Sequence, residues 1–223
     1  MGGKPCKPII SYEAAEEALC KDSWSKGQVS KQDLRKLFEN ASKLEASCVS
    51  SAPSDVQKLS KAAFKEKFQF AGPFFDLGDK VVERLFKVLG ADDAEGTLDY
   101  ESFVCSVYMF TKSTELEKQR LIFNMFDFNG SGFIKKKEFR DMTIAIIRGD
   151  NTPPEFELEF KTLSKLMTDS AMALYDTNRD GKLSFEEWLK YSESDKNVQR
   201  CFSALSRGCD LSTLIQESLE NDQ

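Results

Sequence analysis

Residues 126–139 read FDFNGSGFIKKKEF, and residues 175–188 read YDTNRDGKLSFEEW. Each stretch sets oxygen-bearing side chains on alternate residues, followed by a glycine, an apolar residue and a closing glutamate. With Asp127 as position 1, the first loop has Asp127, Asn129 and Ser131 at positions 1, 3 and 5, Gly132 at 6 and Glu138 at 12. With Asp176 as position 1, the second has Asp176, Asn178 and Asp180, then Gly181 at 6, Ser184 at 9 and Glu187 at 12. A calcium ion takes about six to eight oxygens, and a twelve-residue loop delivers them from positions 1, 3, 5, 7, 9 and 12. Phe133 and Lys182, at position 7, offer backbone carbonyls, and Ser184 can hold a water. Glycine at position 6 permits the sharp turn. Ile134 and Leu183, at position 8, are free to anchor the loops against a neighbour. The spacing therefore predicts two Ca2+ sites, with Mg2+ a competitor at rest because both ions prefer oxygen.

The side-chain ligands at Asp127 carry two formal charges and those at Asp176 carry three, and charge count tunes calcium affinity. Lys135 stands at position 9 of the first loop, where an oxygen would help, and Lys136 and Lys137 follow it. The loop at Asp127 is therefore expected to be the weaker site. The same lysines also read as the start of a solvated helix face.

These loops resemble those of the EF-hand family. The resemblance implies paired helix-loop-helix units, with Ile134 and Leu183 bridging the two loops as short strands. Upstream, GADDAEGTLDYESF (90–103) keeps Gly96, Leu98 and Phe103 but has Ala91 at position 1 and Ser102 at position 12. Asp93 and Glu95 remain, without a closing glutamate. KDSWSKGQVSKQDL (21–34) keeps Asp22, Gly27, Val29 and Asp33, with Trp24 and Lys26 where oxygens belong. Both read as folded hands without metal.

The expected fold is all-α, with two pairs of EF-hands in two lobes and an extra C-terminal helix. Residues 1–111 form the lobe with two degenerate hands, and residues 112–223 the lobe with two calcium-binding hands and a tail helix. A long connection, about 41–79, reads as an insertion: ASKLEASCVSSAPSD is Ser-rich and flexible in character, and FKEKFQFAGPFF is dense in aromatics, most of whose rings read as core, with a partner groove as the alternative.

Composition closes off other classes. The chain has 223 residues, no histidine and a formal net charge of −6. Without imidazole there is no His-ligated zinc and no Ser-His-Asp or Cys-His chemistry. An acidic chain lacks the basic face that nucleic acid needs. Six cysteines are scattered with no C-x-x-C, which reads as reduced thiols in a chain lacking a signal peptide. No phosphate-cradling glycine loop or Ser-x-x-Lys motif is evident, and four hands plus a tail leave no room for a catalytic domain. The chain is read as a non-enzyme.

Helices around the active loops carry apolar stripes: Leu116, Leu121, Ile122, Met125 and Phe126 before the first loop, and Phe139, Met142, Ile144, Ile146 and Ile147 after it. Leu163, Leu166, Met167, Met172 and Leu174 precede the second loop, and Trp188 and Leu189 follow it. In sensors such helices separate on ion binding and expose a groove for an amphipathic target helix. The favoured reading is a calcium sensor that regulates a target protein; a calcium buffer or constitutive scaffold subunit is the alternative. In DLSTLIQESLE (210–220), Leu211, Leu214, Ile215 and Leu219 form one stripe, so the tail is either a plug for the groove or a permanent packing helix. At the start, MGGKPC offers Gly2 for myristate and Cys6 for palmitate, which together would give a peripheral membrane contact; Cys6 stands where the pattern prefers Ser or Thr.

In its long inter-hand connection and tail helix, the chain is similar to the recoverin, calcineurin B and calcium-and-integrin-binding group, and to calaxin of cilia. That likeness implies a monomer or a subunit of a heteromer. The scattered cysteines, the lack of a signal peptide and the lack of any apolar run of about 20 residues imply a cytoplasmic setting, with membrane-associated or ciliary and flagellar locations as alternatives.

Overall fold

The computed structural model describes residues 9–21, 23–24, 27–46, 58–67, 79–91, 96–148, 153–196 and 199. Gly2, Cys6, the tail at 210–220, Asp22, Asp93 and Glu95 lie outside them. The described elements are helices joined by two-residue strands, so the expected all-α class holds.

The C-terminal half is built from α6 (Glu115–Phe126), β5 (Ile134–Lys135), α7 (Lys136–Arg148), α8 (Glu157–Tyr175), β6 (Lys182–Leu183) and α9 (Phe185–Ser194). Thr114 and Glu117 cap the start of α6 reciprocally, and Ser184 and Glu187 do the same for α9. β5 and β6 pair antiparallel, Ile134 opposite Leu183 and Lys135 opposite Lys182. Beneath that ladder lies an aromatic core. Trp188 packs 4.7 Å from Phe126, and Phe139 lies 5.6 Å from Phe126 and 5.1 Å from Tyr191, measured between ring centres. Such tilted and edge-on pairs add to the area that each ring buries.

The N-terminal half contains α1 (Tyr12–Leu19), β1 (Ser23–Trp24), β2 (Gly27–Gln28), α2 (Lys31–Ala46), β3 (Leu59–Ser60), α3 (Lys61–Lys67), α4 (Asp79–Val88), β4 (Thr97–Leu98) and α5 (Tyr100–Thr111). Here the structure corrects the sequence reading. The partner of β4 is β3, Leu59 opposite Leu98, from within the stretch read as an insertion. β1 instead pairs with β2 inside its own loop. The connection at 41–79 therefore supplies part of the lobe: α2 runs on to Ala46, and β3 and α3 follow.

The reason is packing. Leu59 is buried, Ser60 caps α3 by accepting from the Ala63 amide, and Phe64 packs 5.0 Å from Phe86 and 6.0 Å from Phe110. Counted back from Leu59 as position 8, positions 1, 5, 6 and 12 are Ala52, Val56, Gln57 and Ala63. None of these provides a carboxylate or the usual glycine, so no loop signature betrayed the unit. α2 is shared, following one loop and preceding the next. α1 lies against α5, where Tyr12 and Tyr100 meet edge-on at 6.1 Å.

If Leu59 is core, Leu59→Ala lowers the unfolding free energy by about 2–4 kcal/mol in a denaturant titration. A residue of a solvent-exposed insertion would change it by no more than about 0.5 kcal/mol.

Candidate calcium loops

In the loop that follows α6, Asp127 is held by the chain that it precedes. Its Oδ1 accepts from the Ser131 amide at 3.0 Å and its Oδ2 from the Gly132 amide at 2.7 Å. Asn129 Oδ1 accepts from the same Ser131 amide at 3.0 Å, and the Ser131 hydroxyl donates to the Phe133 carbonyl at 2.9 Å. Gly130 and Gly132 take positive φ, 64° and 83°, which glycine adopts at little cost. Glu138 Oε2 accepts from the Lys135 amide at 2.9 Å.

The loop after α8 repeats these contacts. Asp176 accepts from the Asp180 and Gly181 amides at 3.1 and 2.9 Å, and Asn178 Oδ1 from the Asp180 amide at 3.1 Å. Gly181 has φ 79°, and Arg179 takes the left-handed position that Gly130 fills in the first loop, at φ 57°. Glu187 differs from Glu138 in having both oxygens engaged. Its Oε2 accepts from the Ser184 amide and hydroxyl, each at 2.9 Å, and its Oε1 from the Thr177 amide and hydroxyl at 2.9 and 2.8 Å. Thr177 was not picked out in the sequence; a hydroxyl at position 2 was the available signal.

Burial pushes the Glu187 carboxyl up, but these four hydrogen bonds outweigh it and hold the pKa down at about 2. The group is therefore charged throughout the physiological range.

The two loops touch. Lys182 Nζ lies 3.8 Å from the centre of the Phe133 ring and 3.7 Å from Asp180. Of the three lysines after Ile134, Lys136 forms an ion pair with Asp169 of α8 at 2.8 Å, so it ties two helices together. Lys135 and Lys137 are exposed, as a solvated face requires.

The donor set suits a hard dication. Asp127, Glu138 and Glu187 are only 3%, 8% and 6% exposed, yet among the described residues no cation pairs with any of their carboxylates. Buried anions without a counter-charge cost several kcal/mol. A calcium ion held by Asp127, Asn129, Ser131, the Phe133 carbonyl and Glu138, or by Asp176, Asn178, Asp180, the Lys182 carbonyl, Ser184 and Glu187, would remove that cost. Among the described residues no three His, Cys, Asp or Glu side chains gather into a metal cluster. Neutral amides, hydroxyls and carbonyls make up much of each donor set, as in other calcium loops.

Two antiparallel-paired loops, each between helices and each with this donor order, match the family model for an EF-hand domain pair over residues 117–193. That segment is an EF-hand pair. EF-hands that keep these donors bind calcium, and calcium binding follows for this pair. The chain is similar to calcium-dependent protein kinase 7 of Arabidopsis thaliana, 27% identical over 203 residues, which is 90% of this chain and 36% of the kinase. A recoverin family protein of Dictyostelium discoideum is 26% identical over 136 residues, 56% of this chain and 60% of that protein. The chain spans less than two thirds of the length of either relative.

The low pKa of Glu187 sets a pH signature. Because the folded value is depressed, the charged carboxylate stabilises the calcium-free fold above the ordinary carboxylate range, and that contribution disappears as pH falls towards about 2. The stability gap between wild type and Glu187→Gln should thus be constant above about pH 5 and close below it. A gap that persists unchanged into strong acid would mean that the four hydrogen bonds are not made.

Proposed function

We propose that this protein is a non-catalytic calcium sensor that binds two ions through its C-terminal pair and docks an amphipathic helix of a target protein. The observation that carries this reading is the surface of α8. Leu158, Leu163, Leu166 and Leu174 are 45% to 73% exposed, on the helix that leads directly into the loop at Asp176. Single exposed leucines are ordinary, whereas four on one helix make a surface that a partner's apolar face can cover. Leu163, Leu166 and Leu174 recur at helical spacing, which is how anchors of a helix-in-groove contact are read. Leu116 on α6, the corresponding helix of the other hand, is exposed as well.

The likeness to a recoverin family protein and to a calcium-dependent kinase supports the sensor reading, since both names belong to proteins associated with calcium response. Charge count makes the loop at Asp176 the tighter one. An acidic chain suits a target helix with basic flanks.

The deciding experiment is a calorimetric calcium titration with magnesium present, on wild type, Glu138→Gln and Glu187→Gln, with a hydrophobic dye read in parallel. Two sites, loss of the tighter one in Glu187→Gln and a calcium-driven rise in dye emission are the expected results. Leu163→Ser with Leu166→Ser should abolish much of that rise while calcium affinity stays within about 2-fold, because both side chains lie outside the loops. Two sites with no dye response would make the protein a buffer or a constitutive scaffold.

A further inference from the structure

Arg84 lies on α4, in the N-terminal half, and reaches the end of α6 in the other half. Its Nε donates to the Met125 carbonyl at 2.9 Å, and its guanidinium also donates to the carbonyls of Asn124, at 2.8 Å, and Asp127. The guanidinium sits 5.0 Å from the centre of the Phe128 ring. Asp127 and Phe128 are positions 1 and 2 of the calcium loop, so one buried side chain grips the segment where helix becomes loop. The last carbonyls of a helix have no partner within it and form the negative end of its dipole. A planar guanidinium serves several of them at once in a fixed arrangement, which an ammonium cannot do. Among the described residues no side chain does this for the last carbonyls of α8, ahead of the loop at Asp176.

We propose that Arg84 is a positioning residue through which the N-terminal half sets the calcium affinity of the loop at Asp127. Fixing the backbone at position 1 fixes where the Asp127 carboxylate points, and a loop already ordered loses less freedom when it closes on an ion. The positive charge of Arg84 opposes a cation, but it lies on the helix side of the loop and is spread over three carbonyl oxygens. Positioning therefore outweighs repulsion. By linkage, calcium at this loop strengthens the grip of Arg84 to the same degree, and α4 registers the bound state.

This inference rests on the loop at Asp127 taking calcium. In a Glu187→Gln background, where that loop alone titrates, Arg84→Lys and Arg84→Gln should each weaken calcium binding by about 5-fold or more. In a Glu138→Gln background the same two changes should move the loop at Asp176 by less than about 2-fold. Undiminished affinity in Arg84→Lys, or tighter binding in Arg84→Gln, would mean that the arginine acts only as a charge, and equal losses at both loops would mean that it merely holds the fold together; either result overturns the proposal. No calcium heat from the Glu187→Gln protein with Arg84 intact would instead remove the two-site reading, and this inference with it. Hydrogen exchange on the unaltered Arg84 protein covers the case of a variant that does not fold. Calcium should raise protection across residues 79–88 in Glu187→Gln and leave it unchanged in Glu138→Gln, and an α4 indifferent to calcium in both would sink the idea.

Discussion

Three carboxylates, those of Asp127, Glu138 and Glu187, are withdrawn from water with no ion-pair partner among the described residues, and much of the C-terminal half is arranged around that cost. Loop amides meet part of it. The Gly132 and Ser131 amides face Asp127, and the Ser184 and Thr177 groups surround Glu187. The chain turns through left-handed conformations at residues 130, 132, 179 and 181, which brings the Ser131, Gly132, Asp180 and Gly181 amides round to the aspartate at position 1 of each loop. The loops in turn keep their relative position through the Ile134–Leu183 ladder and the aromatic core beneath it. Ligand placement and core packing are therefore one problem solved by the same dozen residues in each loop.

The described residues of the N-terminal half show the packing part. The ladder between Leu59 and Leu98 joins loops that have lost their carboxylate closers, and what remains is a buried apolar residue followed by a helix with an aromatic on its inner face. This half also contributes a surface on which the other can rest. α4 provides it, with Val81, Val82, Leu85 and Phe86 buried and Arg84 extended across the boundary.

How much of this was legible depended on which physical demand shaped each segment. Metal ligation needs particular atoms at particular places, so Asp127 to Glu138 and Asp176 to Glu187 announced themselves, and the helices around them followed from apolar spacing. Packing accepts many residues, so the stretch around Leu59 reads as an insertion in sequence, with only the rings from Phe64 onward legible as core. A subtler regularity ran through all of it. An apolar residue in each loop precedes an inward-facing residue five places on: Val29 and Leu34, Leu59 and Phe64, Leu98 and Phe103, Ile134 and Phe139, Leu183 and Trp188, every one of them buried. Arg84 could not have been found in this way, because its role lies in reaching a helix end some forty residues further along the chain.

Trp188 has a consequence of an optical kind. It follows Glu187 directly, is fully buried, and is ringed by Phe123, Phe126 and Tyr191 at 4.7–6.1 Å, while its indole N–H finds no partner among the described residues. An indole in so dry an enclosure emits towards the blue, and any tilt of α9 changes its neighbours at once. The sequence holds just one other tryptophan, Trp24. With that residue replaced by phenylalanine, the protein carries a single tryptophan of its own, bonded to the residue at position 12 of the loop at Asp176, and its state can be followed in dilute solution with no label attached.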